Sequence, residues 1–155
     1  MRRVAVLSVL AAASLVAGVL VTSASASAGE SFRVTAITKQ AKNIDVAPNG
    51  TNIGDYSVFS DNVHRNGRSV GELNGVCTHT RIDPAANQGS QQCILTATLP
   101  RGSLTLQDVI RFSGVQVKGV TAAVTGGTGH FAGATGTAHI RFVSATRSTI
   151  RFVLQ

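Results

Sequence analysis

The chain has 155 residues, 43% hydrophobic and 14% charged, with two Cys and no Trp; it is too apolar for a disordered chain and too short for an array of domains. Fourteen Lys and Arg against seven Asp and Glu give a net charge of +7, which invites a nucleic-acid reading. However, Arg33, Arg81, Arg101, Arg111, Arg141 and Arg151 fall one per segment and aromatic residues are scarce, so a gathered basic patch and a base-stacking platform are both missing and no nucleic-acid partner is expected.

In chain order, Met1-Arg2-Arg3 precede an uncharged apolar run from Val4 to Val21, which closes on Ser23-Ala24-Ser25-Ala26-Ser27-Ala28. A positive start, an apolar middle and a small-residue ending are the parts of a secretory signal peptide. Residues 1–28 are read as that peptide, with cleavage after Ala28 or after Ala26, and an uncleaved anchor is the alternative. No other stretch reaches the apolar length of a membrane helix. The expected product is a secreted, extracellular protein with no membrane partner after cleavage. Loss of Arg2 and Arg3 leaves twelve basic residues against seven acidic ones, a net +5 for residues 29–155, which form a single domain.

Residues 29–155 read almost wholly as strand and turn. Runs rich in Val, Ile, Thr and Phe alternate with Gly, Asn, Asp and Pro. Eight strands are expected over Ser31–Thr38, Asp55–Val63, Ser69–Ile82, Gln91–Leu99, Ser103–Ser113, Lys118–Thr125, Thr135–Ser144 and Arg147–Leu154. Asn66-Gly67 is a two-residue hairpin signal, and Pro100-Arg101-Gly102 and Ala145-Thr146 mark further tight turns. The long link Lys39–Gly54, with Pro48-Asn49-Gly50, is expected to wrap one end. Consecutive strands on short turns are antiparallel neighbours. Eight of them can close into an all-β, eight-stranded antiparallel up-and-down barrel, which removes exposed edges and can hold one small ligand. A two-sheet sandwich would need longer crossovers than the sequence supplies.

Gly126-Gly127-Thr128-Gly129-His130-Phe131-Ala132-Gly133-Ala134-Thr135-Gly136 concentrates five glycines in eleven residues. A phosphate-cradling loop would need a helix to follow it. Here β-branched and aromatic residues follow, so a tight corner between two strands is the reading.

Cys77 and Cys93 flank the hairpin loop Asp83-Pro84-Ala85-Ala86-Asn87. If 77 faces 93, the midpoint is residue 85, inside that loop. In an exported chain this placement reads as one disulfide, with two buried thiols as the alternative. His64, His79, His130 and His139 have no metal-ligand spacing and no Gly-x-Ser-x-Gly elbow occurs; no metal, no cofactor and no assigned catalytic residue are expected. Asp55 and Asp61 share one face of a strand. Asp55 fixes the preceding turn, whereas Asp61 lies with Ser57 and Phe59.

Taken together, Gly54-Asp55-x-x-x-Phe59-x-Asp61, Val70-Gly71-x-x-x-Gly75-x-Cys77, Gly102-x-Leu104-Thr105-x-Gln107 and Thr125-Gly126-Gly127-Thr128-Gly129-x-Phe131-x-Gly133-Ala134-x-Gly136 resemble the allene oxide cyclase barrel family. Plant dirigent proteins look like its relatives, sharing the Gly-Gly-Thr-Gly-x-Phe segment. The resemblance implies an eight-stranded barrel, usually a homotrimer, with an apolar cavity. In such cavities the cyclases close an epoxide-derived cation and dirigents steer radical coupling.

The same resemblance places Phe59 and Asp61 where the cyclases have a cavity Phe and Asn, and Cys77 on a cavity Cys. Strand alternation then points Ser57, Phe59, Asp61, Cys77 and His79 inward, and Cys93 too if it is bonded to Cys77. Ile110 stands where the cyclases have a Tyr. The first strand, Phe32-Arg33-Val34-Thr35-Ala36, lacks their acid, and Thr135 replaces the Arg of many dirigents. The cavity-lining candidates are therefore Ser57, Phe59, Asp61, His79 and Ile110, with a small hydrophobic ligand as partner. Three functions are carried forward: a cofactor-free isomerase or cyclase that steers cyclisation or coupling, a non-catalytic lipophilic-ligand binder, and a wall-associated structural protein. Apolar residues on both faces near Ile140, Phe142 and Val143 suggest a homo-oligomer.

Overall fold

A computed structural model of the protein describes residues 29–46, 48–114 and 117–155. The expected signal peptide, residues 1–28, lies outside the described residues. Eight strands follow one another: β1 (Ser31–Ile44), β2 (Tyr56–Arg65), β3 (Arg68–Asp83), β4 (Gln88–Leu99), β5 (Gly102–Ser113), β6 (Gly119–Gly127), β7 (Gly136–Ser144) and β8 (Arg147–Leu154). Each pairs antiparallel with the next, and β1 returns to β8 from Ser31↔Val153 to Ile37↔Arg147, closing the barrel in the order β1 to β8. No helix among the described residues is long and apolar enough to cross a membrane.

Alternation builds the core. Along β1, Phe32, Val34 and Ala36 are buried while Ser31, Arg33 and Ile37 are exposed; along β5, Leu104 and Leu106 are fully buried. Turn chemistry sets the register. Asn66 (φ 52°) and Gly67 (φ 76°) both take positive φ, the backbone of the twisted two-residue hairpin that Asn-Gly favours.

The glycine corner carries no nucleotide-type helix. It holds a single 3-10 turn, Gly129–Phe131, whose Phe131 side chain is buried. Gly136 just beyond has φ +131°, and a Cβ there would sit 2.1 Å from the Val153 carbonyl oxygen. Only glycine lets β7 start this close to β8. Phe131 stacks with Phe32 (centroids 6.0 Å apart), which stacks with Phe152 (4.8 Å). These three rings pack at the barrel end that carries the start of β1 and the end of β8, beside a cleft of about 120 Å³ between Phe32, Val34, Arg65, Val70 and Phe131.

Two expectations need correction. The first strand does not stop at Thr38 but runs to Ile44, past a bulge between Thr38 and Gln40, with Ala41, Lys42 and Asn43 pairing to Phe59, Val58 and Ser57. The added length stands beyond the apolar core and is mostly exposed, so it carries no alternation to read. Nor are the arginines dispersed in space. Arg33 lies directly opposite Arg151, and Arg151 opposite His139, in one row across β1, β8 and β7. Residues far apart in sequence share a face because closure brings the first and last strands together.

Candidate functional site

The end opposite the phenylalanine cluster is formed by the β1–β2 connection, the β3–β4 and β7–β8 turns and the β5–β6 link. Here the barrel is not filled. A hollow of about 110 Å³ is lined by Phe59, Leu73, Leu95, Ile110, Ala122, Ile140 and other inward side chains, among them Asp61 and Asp108. A mouth of about 350 Å³ adjoins it, lined by Asn43, Asp45, Asp55, Ser57, His79 and Gln91 among others.

Of the residues expected to line one cavity, Phe59, Asp61 and Ile110 lie on the hollow. Ser57 and His79 line the mouth instead, because they sit at the open-end limits of the inward faces of β2 and β3. Cys77 and Cys93 are joined in a disulfide, directly opposite one another on β3 and β4. They are buried and form part of the wall of the hollow. Ser57 pairs with Cys77 in the register, so the cross-link marks the boundary between the two spaces.

Phe59 owes its place to a glycine. It pairs with Gly75, where an added Cβ would come within 2.5 Å of the ring tip. The missing side chain lets the phenyl ring lie over β3.

Asp61 is only 7% exposed, and its Oδ1 has no hydrogen-bond partner among the described residues. Burial pushes its carboxyl above the usual 3.8, against an opposing hydrogen bond from Thr38, its partner across β1. Desolvation disfavours the charged form of an acid, hence the upward direction. Asp108 faces the same hollow, paired in register with Cys93, and its Oδ1 accepts the Val109 N–H at 2.8 Å. Asp108 is the site residue that sequence reasoning missed. Period-two alternation with Leu104, Leu106 and Ile110 was the signal that could have found it.

The mouth is held by Asp55. Its two carboxylate oxygens accept N–H groups from Asn52 (2.7 Å) and Val46 (2.8 Å), and these bonds hold its pKa below the usual 3.8. Its backbone carbonyl accepts the His79 N–H at 2.7 Å. Asp55 therefore folds the β1–β2 connection against His79, as its turn-fixing role required. The Gln91 side-chain amide lies against His79 Nε2, and His79 Nδ1 is buried without a partner. Among the described residues, no group of three His, Cys, Asp or Glu could hold a metal ion.

The fold and this site define a closed antiparallel barrel plugged at one end and hollow at the other. The chain belongs to the allene oxide cyclase barrel like domain family, whose model matches residues 35–154. Among solved structures it is similar to a pyocyanin demethylase, with 25% identity and a TM-score of 0.70, over 81% of this chain and all of the other. An exo-specific intermolecular Diels-Alderase (14% identity, TM-score 0.63, 81% of this chain and 97% of that one) shares the fold. So does a pterocarpan synthase dirigent protein (17% identity, TM-score 0.56, 81% and 92%). No curated protein sequence matches the chain.

Proposed function

We propose that this protein is an exported barrel that takes a small, largely apolar molecule through its open end and holds it against Asp61. The observation that carries this reading is the half-hollow core: an apolar pocket containing one deeply buried carboxyl with an unpartnered oxygen. Pockets of this kind, apolar with a few convergent polar groups, are the usual form of a ligand site.

The hollow, about 110 Å³, is smaller than the roughly 150 Å³ void that takes up benzene, so it holds at most one ring-sized group and the remainder occupies the mouth. The test is binding of a one-ring aromatic probe followed by NMR of the methyl groups of Leu73, Leu95 and Ile110. We expect saturable shifts at these residues, lost in Phe59→Ala. Shifts confined to the outer surface would reject the reading.

Catalysis is the second reading, favoured by Asp61. A carboxyl that burial keeps protonated above the usual range can hand a proton to a bound ligand and take it back. A rigid apolar wall can also hold a flexible reactant in one fold. This matches an isomerase-like cyclisation or coupling, and its support includes the pyocyanin demethylase likeness, which spans that whole protein. Turnover of a bound candidate substrate, lost in Asp61→Asn with binding retained, distinguishes it from binding alone.

Export and assembly complete the proposal. The secreted protein should begin at Gly29 or Ser27, as N-terminal sequencing would read. A homotrimer should form on the outer apolar row Val58, Val76 and Ile94, which lie opposite one another across β2, β3 and β4. Light scattering at the mass of one chain would overturn that assembly.

A further inference from the structure

The charges of this chain are not distributed as its net charge suggests. Of its seven acidic residues, Asp61 and Asp108 line the hollow and Asp45 and Asp55 line the mouth. No Lys or Arg lines either space among the described residues, and His79 is the sole basic side chain there. The basic residues lie elsewhere, including the Arg33–Arg151–His139 row on the outer wall. A protein with a surplus of positive charge thus presents an acidic entrance and an acidic interior.

The hydrogen-bonding inventory points the same way. The polar side chains on the hollow are two carboxyls and the Ser148 hydroxyl. The sulfurs of Cys77 and Cys93 are tied to each other and offer no S–H. Ionised carboxylates only accept hydrogen bonds, so the lining is rich in acceptors and poor in donors. A cationic ligand brings its own donors and favours the ionised form of Asp61, which burial alone disfavours.

We propose that the hollow selects a cationic ligand, a one-ring aromatic ammonium or amidinium, with Asp61 as its counter-charge and Asp108 as a second acceptor. This rests on the ligand-binding reading above and names the ligand's class. The aromatic ring packs against Phe59, Ile110 and Ile140, while the cationic head donates to Asp61. Breaking up a buried charge pair is costly because one unpaired charge remains, and the bound cation removes that condition. Acids at the mouth raise the local concentration of cations and repel anions. An anionic ligand of the same size meets two carboxyls in the hollow, with the Ser148 hydroxyl the one neutral polar side chain of its lining.

The experiment compares benzylammonium, benzyl alcohol and benzoate, three probes of nearly equal size, by titration calorimetry at low salt, with NMR to locate the site. Benzylammonium is expected to bind about tenfold tighter than benzyl alcohol, the worth of one charge-assisted hydrogen bond, and benzoate weakest. Asp61→Asn should bring benzylammonium down to the level of benzyl alcohol. Asp108→Asn, which keeps Asp61, should cost benzylammonium about threefold, as for a partly solvated charge. Thermal unfolding confirms that each variant is folded. Equal binding of ammonium and alcohol, or tighter binding of benzoate, overturns the cation inference and leaves the pocket reading standing. Absence of all three probes from the hollow overturns both.

Discussion

Removing the disulfide gives the most quantitative test of this structure. Cys77 and Cys93 are separated by 16 residues, and constraining a loop of that size removes about 3 kcal/mol of chain entropy from the unfolded state. The perturbation is the double variant C77A/C93A. Alanine is chosen over serine because both side chains face an apolar wall, where a hydroxyl would need a partner. For a barrel spanning residues 31–154, an unfolding entropy of about 2.1 cal/mol/K per residue converts that loss into a fall in Tm of roughly 10 °C.

Thermal unfolding followed by circular dichroism reads this shift, and wild type with reductant should fall by a similar amount. Guanidinium unfolding should show a lower midpoint. Because β3 and β4 are also paired from Glu72↔Thr98 to Asp83↔Gln88, the barrel should keep its fold without the bond. A fall in Tm of less than about 3 °C, well below the chain-entropy magnitude, would refute the reasoning. Alkylation of two thiols in the unreduced secreted protein would refute the bond itself.

Three further outcomes follow from individual side chains. Asp61 has its pKa raised by burial, so wild-type stability falls as pH rises from 3.8 through the raised value and is level above it. Asp61→Asn should remove that slope, matching wild type in acid and exceeding its Tm near neutral pH; parallel pH profiles would count against the assignment. Glu30 shows the opposite direction: burial opposes its ionisation, but bonds and charges from His130 and Arg101 outweigh this and hold it below 4.5. Its contribution is present above pH 4.5 and lost as pH falls through the lowered value, and Glu30→Gln should cost about 0.5 kcal/mol near neutral pH, as expected for an exposed network. Arg151→Glu, directly opposite Arg33, should raise stability by about 0.5 kcal/mol in urea unfolding by turning a like-charge cross-strand pair into an opposite one.

The barrel was legible in the sequence because its information is local. Asn66-Gly67 fixes a hairpin by its own φ angles, alternation along Phe32–Ala36 marks an inner face, and short turns leave antiparallel pairing as the only option. Phe59, Asp61 and Ile110 were legible through the family resemblance, with alternation giving Phe59 and Asp61 one face of β2. What could not be read depends on closure. Ser57 and His79 point inward as alternation requires, but whether an inward residue meets the hollow or the mouth depends on how far along the axis it sits. The Arg33–Arg151–His139 row exists only once β1 meets β8. Asp108 carries the same period-two signal, alternating with Leu104, Leu106 and Ile110 on β5.

The two halves of the barrel divide stability and binding along its axis. At the plugged end, Phe32, Phe131 and Phe152 stack, and Leu104, Leu106 and Leu154 are fully buried. Burial of such side chains contributes about 1.5–3 kcal/mol each. At the open end the core gives up packing and adds a buried carboxyl, both of which destabilise the folded state. The disulfide lies in that weaker half, where β3 and β4 form the wall beside Ser57 and the mouth. A cross-link there offsets the stability lost to the hollow without filling it, because it acts mainly on the unfolded chain. It also pins Cys77 opposite Cys93, so β3 and β4 cannot slip in register beside the hollow. Covalent chemistry thereby holds a wall that packing from within does not support where the hollow is left open.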